Sequence, residues 1–205
     1  MLKVGLTGGY ATGKSFVAAE LELLGCHVIY ADRLGHAALS SGGAAYASTL
    51  EAFGPSILDA NREIDRKRLG EIVFGSPEVL EKLNGFVHPA VFRLTEQLMG
   101  HYREQDPLGI VAYEAAILIE TGRYSDFDRL IVTVCDDATR VARGMKRDHL
   151  NREQILERIA RQLPVDDQKK YAHYVVDTSG DKHDTILQVQ HIYGELKHAA
   201  NAQQA

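Results

Sequence analysis

The sequence predicts an α/β protein of three layers, a parallel five-stranded sheet with helices on both faces. Three observations carry this. Short apolar runs of strand length alternate with stretches of helical spacing along most of the chain. The first apolar run ends in a glycine-rich turn that opens into a helical pattern. A long middle stretch has helical spacing and no convincing strand, so it reads as an insertion. Strands that alternate with helices pair in parallel through crossover connections.

Residues 3–7, KVGLT, are a short apolar run before a glycine turn, the pattern of a buried strand. From Lys14 the spacing changes: Val17, Leu21 and Leu24 recur at i, i+4 and i+7, and Gly25 ends the helix. Residues 27–30, HVIY, form the second strand, and 109–112, 130–134 and 174–176 form the others. Residues 35–105 read as an inserted helical subdomain. Residues 138–168 are dense in charge, with Arg140, Arg143, Lys146, Arg147, Asp148, Arg152, Arg158 and Arg161; composition alone reads them as a solvated helical hairpin. Residues 184–196 carry Ile186, Val189, Ile192, Tyr193 and Leu196, an amphipathic helix packed on the sheet. The end, AANAQQA, reads as frayed. The core is thus expected in 1–34, 106–137 and 169–205, with 35–105 and 138–168 as separate parts.

The chain of 205 residues allows one domain with a small insertion, and 45% hydrophobic with 25% charged residues is an ordinary globular composition. A net charge of −5 argues against a nucleic-acid partner, because no basic excess is available to neutralise phosphates. Cys26 and Cys135 match no metal or redox spacing and read as buried thiols. No apolar run approaches the ~20 residues of a membrane span, and the N-terminus lacks the pattern of a signal peptide. A cytosolic protein without a membrane partner is expected.

Gly8 to Ser15, GGYATGKS, fits G-x-x-x-x-G-K-[ST], and it follows a strand and opens a helix as a phosphate loop must. Glycines let such a loop wrap with its N–H groups inward, and the helix N-terminus adds positive potential. Lys14 is expected at the β- and γ-phosphates and the Ser15 hydroxyl on Mg²⁺. The plain alternative is a glycine turn with a solvated Lys14. Asp32 lies just past the second strand, where open α/β sheets place their ligand crevice. A carboxylate there accepts a proton from an attacking hydroxyl or holds a metal-bound water; otherwise it is a helix N-cap. Asp32 to Gly35 also fits the D-x-x-G of GTPases. That reading fails: the span from Ser15 is too short for a switch segment, and no N/T-K-x-D follows.

Several stretches, in order, resemble the dephospho-coenzyme A kinase family. VGLTGGYATGKS resembles its opening, usually GLTGGIGSGKS. YADRLGH resembles its D-A-D segment with a histidine four residues on. Phe53-Gly54 and IDRKRLGEIVF resemble the stretch before its His-Pro pair, here His88-Pro89. EAAILIETG resembles its PLLFE segment, and RGMKRD through RIARQLP its arginine-rich lid.

The resemblance implies a P-loop kinase of the nucleoside-monophosphate-kinase type, phosphorylating the ribose 3′-hydroxyl of dephospho-CoA with Mg·ATP. ATP would be bound by Gly8, Gly9, Ala11, Thr12, Gly13, Lys14, Ser15 and Phe16. Asp32 would be the base. Residues 35–105 would hold dephospho-CoA, with His88 near it unless His88 is merely structural. Residues 138–168 would be a lid, with Arg143 and Arg147, one turn apart, clamping the transferred group. Glu114 would orient a Mg²⁺-bound water or cap a helix. A monomer or weak homo-oligomer is expected.

The chain departs from the family at four places. Arg140 replaces Gln, His173 replaces Asp, Thr178 replaces Asn, and Ala115-Ala116 replace Ile-Pro. These concern adenine recognition rather than the reaction. The other readings kept open are another P-loop small-molecule kinase and a silent ATP-binding module.

Overall fold

The computed structural model describes residues 1–73 and 75–202. Phe74, at the end of IDRKRLGEIVF, and residues 203–205 of the expected frayed tail lie outside the described residues. The chain divides into two compact units, residues 1–29 with 101–205, and residues 30–100.

The first unit is built on a sheet ordered β2-β3-β1-β4-β5. Its strands are β1 (Leu2–Gly8), β2 (His27–Tyr30), β3 (Ile110–Glu114), β4 (Arg129–Val134) and β5 (Tyr174–Asp177). β1 pairs in parallel with β3 and with β4, and β4 with β5. The central strands are apolar without alternation because helices cover both faces; Leu2, Val4, Leu6, Val111, Ala112 and Val132 are fully buried.

Helix α1 (Lys14–Leu23) follows β1, and its buried residues Val17, Ala18 and Leu21 recur at helical spacing. It ends in a Schellman motif. Cys26 N–H bonds the Leu21 carbonyl and Gly25 N–H the Glu22 carbonyl, both at 3.0 Å. Gly25 takes φ 102°, which a side chain would resist. Helix α9 (Lys182–Ala202) buries Thr185, Val189, Ile192, Leu196 and Ala200 and packs on α1 and the sheet. It is longer than the amphipathic stretch expected, and residues 199–202 are helical rather than frayed.

The charged stretch forms α6 (Asp137–Asp148), α7 (Arg152–Ala160) and α8 (Val165–Lys169), all within the first unit. Asp136 caps α6 by accepting from the Thr139 amide at 2.8 Å. Asn151 and Gln154 form a reciprocal capping box on α7. Val141 and Ile155 are buried, so this is a packed hairpin and not a purely solvated one.

The second unit contains α2 (Ala31–Leu39), α3 (Tyr46–Phe53), α4 (Arg66–Val73) and most of α5 (Pro77–Gln105). Its core joins Ile57, Ile64, Leu69, Val73 and Leu83, beside a smaller cluster of Ala38, Ala45 and Ala90. Beyond Tyr30 at the end of β2, its extended structure among the described residues is one isolated antiparallel bridge, Leu58 to Ile64. Pro89 lies inside α5. A proline there removes one bond and crowds the carbonyl four residues back; that residue is Gly85, with open space where a Cβ would stand.

Among the described residues, no helix is long and apolar enough to cross a membrane. Cys26 and Cys135 are buried and form no disulfide. Burial pushes the Cys26 thiol up to about 12, so it is inert at neutral pH.

Candidate active site

The glycine loop leaves the carboxyl end of β1 and turns into α1. Gly8 has φ 148°, and a Cβ there would stand 2.4 Å from the Thr133 carbonyl oxygen; only glycine fits. Gly13, at φ 83°, is the N-cap of α1 and supplies no side-chain cap. Its carbonyl accepts from the Phe16 and Val17 amides at 3.0 and 3.2 Å, and the positive end of the helix dipole at this N-terminus favours an anion. Ala11 adopts φ 57°, a left-handed conformation that costs a non-glycine residue about 1–2 kcal/mol.

Side chains hold the loop in shape. The Lys14 ammonium donates to the carbonyls of Gly8 and Gly9 at 2.8 and 3.0 Å. The Thr12 hydroxyl donates to the Gly9 carbonyl at 2.8 Å and lies 2.7 Å from the Thr133 hydroxyl. The Thr178 hydroxyl, just past β5, donates to the Thr12 carbonyl at 2.9 Å. Arg140 is buried against the loop and donates from Nε to the Tyr10 carbonyl at 3.0 Å. A Cβ on Gly9 would come within 2.7 Å of Arg140 Nη2, so both Gly9 and Arg140 shape this contact.

Arg143 and Arg147, expected to clamp one group together, have different partners. Arg143 donates to the Thr178 hydroxyl at 2.9 Å and its carbonyl at 2.7 Å. Arg147 donates twice to Asp148, at 2.8 and 3.1 Å. Arg143 and Thr178 also line a cavity of about 290 Å³ that opens beside Gly13 and is walled by Phe16, Gly180, Asp181 and Lys182.

Ser15, the second residue of α1, is exposed. Glu114 is 6% exposed at the end of β3. A turn, not a helix, follows it in the chain. His173, where the family has Asp, accepts from the Leu130 amide at 3.1 Å and ties the start of β5 to β4.

The second unit carries Asp32, His36 and His88. Asp32 is exposed in the first turn of α2, whose N-cap is Tyr30; it is not the cap. His36 follows one turn later and contacts the Arg66 guanidinium from the start of α4. Burial, then the Arg66 charge, holds the His36 imidazole below its ordinary value, while Asp32 works the other way. His88 is exposed on α5.

Sequence reasoning did not single out Tyr10 or residues 180–182. Their signal was positional: the loop after the last strand also lies at a carboxyl end of the sheet.

A glycine loop opening a helix at the carboxyl end of the central parallel strand, with a lysine folded back on it, defines a P-loop nucleotide-binding protein. The comparisons narrow this. Residues 2–184 match the family described as dephospho-CoA kinase. The chain is 38% identical over 195 residues to the dephospho-CoA kinase of Geobacter metallireducens, covering 95% of this chain and 96% of that one. It is 38% identical over 196 residues to that of Aquifex aeolicus, covering 96% and 98%. A solved structure from Thermus thermophilus superposes with TM-score 0.80 at 30% identity, over 95% of this chain and 97% of that one. The chain belongs to the dephospho-CoA kinase family.

Proposed function

We propose that the protein transfers the γ-phosphoryl group of ATP to the 3′-hydroxyl of dephospho-CoA, giving CoA and ADP. The observation that carries this is the phosphate loop Gly8–Ser15 within the 2–184 stretch that matches the family.

Gly8, Gly9, Ala11, Thr12, Gly13, Lys14, Ser15 and Phe16 bind ATP, the glycine loop cradling the phosphates while Lys14 exchanges its loop carbonyls for β- and γ-oxygens. The cavity beside Gly13 and Phe16 takes the base. Asp32 accepts the hydroxyl proton as the acceptor oxygen bonds to the γ-phosphorus and the bond to ADP breaks. Arg143 and Arg147 stabilise the charge on the transferring group, giving up their bonds to Thr178 and Asp148 to do so. Residues 35–105 hold dephospho-CoA, with His88 among them. Residues 138–168 act as a lid that excludes water and suppresses ATP hydrolysis.

The donors present fit Mg²⁺. Among the described residues there is no cluster of three or more His, Cys, Asp or Glu that would hold a metal unaided. Mg²⁺ in phosphoryl transfer needs only one or two hard oxygen ligands, because substrate phosphates and waters supply the rest. Ser15 offers its hydroxyl and Glu114 a carboxylate acting through water. Held there by Ser15 and, through water, by Glu114, Mg²⁺ would supply neutralisation of charge on the phosphate oxygens. The reading further takes the protein as a cytoplasmic monomer or weak homo-oligomer.

The test is ADP release from Mg·ATP with and without dephospho-CoA, with mass analysis of the acceptor. Acceptor-dependent release and a product one phosphate heavier are expected. No acceptor-dependent release would overturn the reading and point to another small-molecule acceptor.

A further inference from the structure

Tyr10 stands where the family's usual opening, GLTGGIGSGKS, has Ile. Here it joins the phosphate loop to the charged hairpin at three points. Its amide donates to Gln162 Oε1, its carbonyl accepts from Arg140 Nε, and its hydroxyl donates to Asp148 Oδ2. The first two are backbone contacts that any residue makes. The third belongs to tyrosine.

Asp148 is the hub of a small charged cluster. Besides Tyr10 it accepts two bonds from Arg147, and one from Arg158 at 3.3 Å. Both guanidinium groups lie near the Tyr10 ring, their central carbons 4.9 and 5.7 Å from its centre. The Arg147 bonds hold the Asp148 carboxyl down at about 2, so it is a full carboxylate at neutral pH. The close approach is built in: a Cβ on Gly144 of α6 would meet the Tyr10 ring at 2.8 Å and Ile155 at 2.9 Å.

We propose that Tyr10 is a positioning residue whose hydroxyl fastens Asp148, and through it Arg147 and Arg158, to the phosphate loop, holding the hairpin 138–168 in place before nucleotide binds. This rests on the reading of that hairpin as the lid. It deepens it by naming the residue that sets how often the lid is open. A lid held ready has less ordering left to do on binding, which raises apparent nucleotide affinity.

The test is hydrogen exchange of the full free chain, comparing wild type with Tyr10→Phe, Asp148→Asn and the double variant. Phenylalanine keeps the ring beneath the arginines and removes only the hydroxyl. Amides of residues 145–160 should exchange about five- to tenfold faster in Tyr10→Phe, while β1 and β4 exchange as in wild type. Asp148→Asn should do the same, and the double variant should be no faster than Asp148→Asn alone. In the kinase assay KM for ATP should rise more than kcat falls. Unchanged exchange at 145–160 in both single variants, or effects that add in the double variant, would overturn the proposal. Failure of wild type to phosphorylate dephospho-CoA would overturn the kinase reading instead and leave the exchange result to decide the fastening.

Discussion

Arg143 grips Thr178 at two points, donating to its hydroxyl at 2.9 Å and its carbonyl at 2.7 Å, while the same hydroxyl donates to the Thr12 carbonyl at 2.9 Å. One buried threonine thus links α6, the end of β5 and the phosphate loop. Thr178→Val keeps the shape and removes the hydroxyl, leaving the Thr12 carbonyl and one guanidinium N–H without this partner. It should cost about 1–3 kcal/mol of stability. For a chain of this size that lowers Tm by roughly 2–12 °C. Calorimetry checks it. Thr178→Ser, which keeps the hydroxyl, should recover most of the loss.

The loop's backbone makes two opposite predictions. Gly8→Ala drives a Cβ to 2.4 Å from the Thr133 carbonyl at φ 148° and should distort the loop. Nucleotide binding, followed by calorimetric titration, should fall at least about tenfold. Ala11→Gly relieves a left-handed alanine at φ 57° and should raise stability by about 0.5–1 kcal/mol.

Lys14→Ala should weaken ATP binding and lower turnover about 100-fold or more, because the ammonium meets both ground-state and developing charge. Asp32→Asn should keep ATP affinity and lower kcat by roughly 100- to 10,000-fold, the range for loss of a general base. The kcat and KM of the two variants separate the roles. Near-wild-type turnover in Asp32→Asn would remove Asp32 as base.

The His36–Arg66 contact makes stability depend on pH. Burial and Arg66 disfavour imidazolium in the folded chain, so the folded group titrates lower than the unfolded one. Its contribution is complete above the unfolded value of about 6.5 and is lost as pH falls through the lowered folded value. His36 is exposed, so the effect is small. The melting temperature of wild type should fall on acidification from pH 7 to 5 more steeply than that of His36→Gln. Equal slopes would count against it.

The sequence by itself determined the α/β class, the strands and the phosphate loop. These depend on local signals that survive without a third dimension: apolar runs, glycine spacing, and a Schellman glycine at residue 25. It also marked Asp32 and Lys14, because strand ends and helix starts are local. It put Arg143 and Arg147 on one helix face. Their partners in this structure, Thr178 for one and Asp148 for the other, are set by tertiary structure, since a long side chain goes to whichever acceptor the fold brings near. Tertiary structure also turned Tyr10 from an unremarked loop residue into the partner of Asp148, 138 positions away. No spacing rule connects such residues, because the contact is made by the docking of α6 and α7 on the loop and not by the chain between.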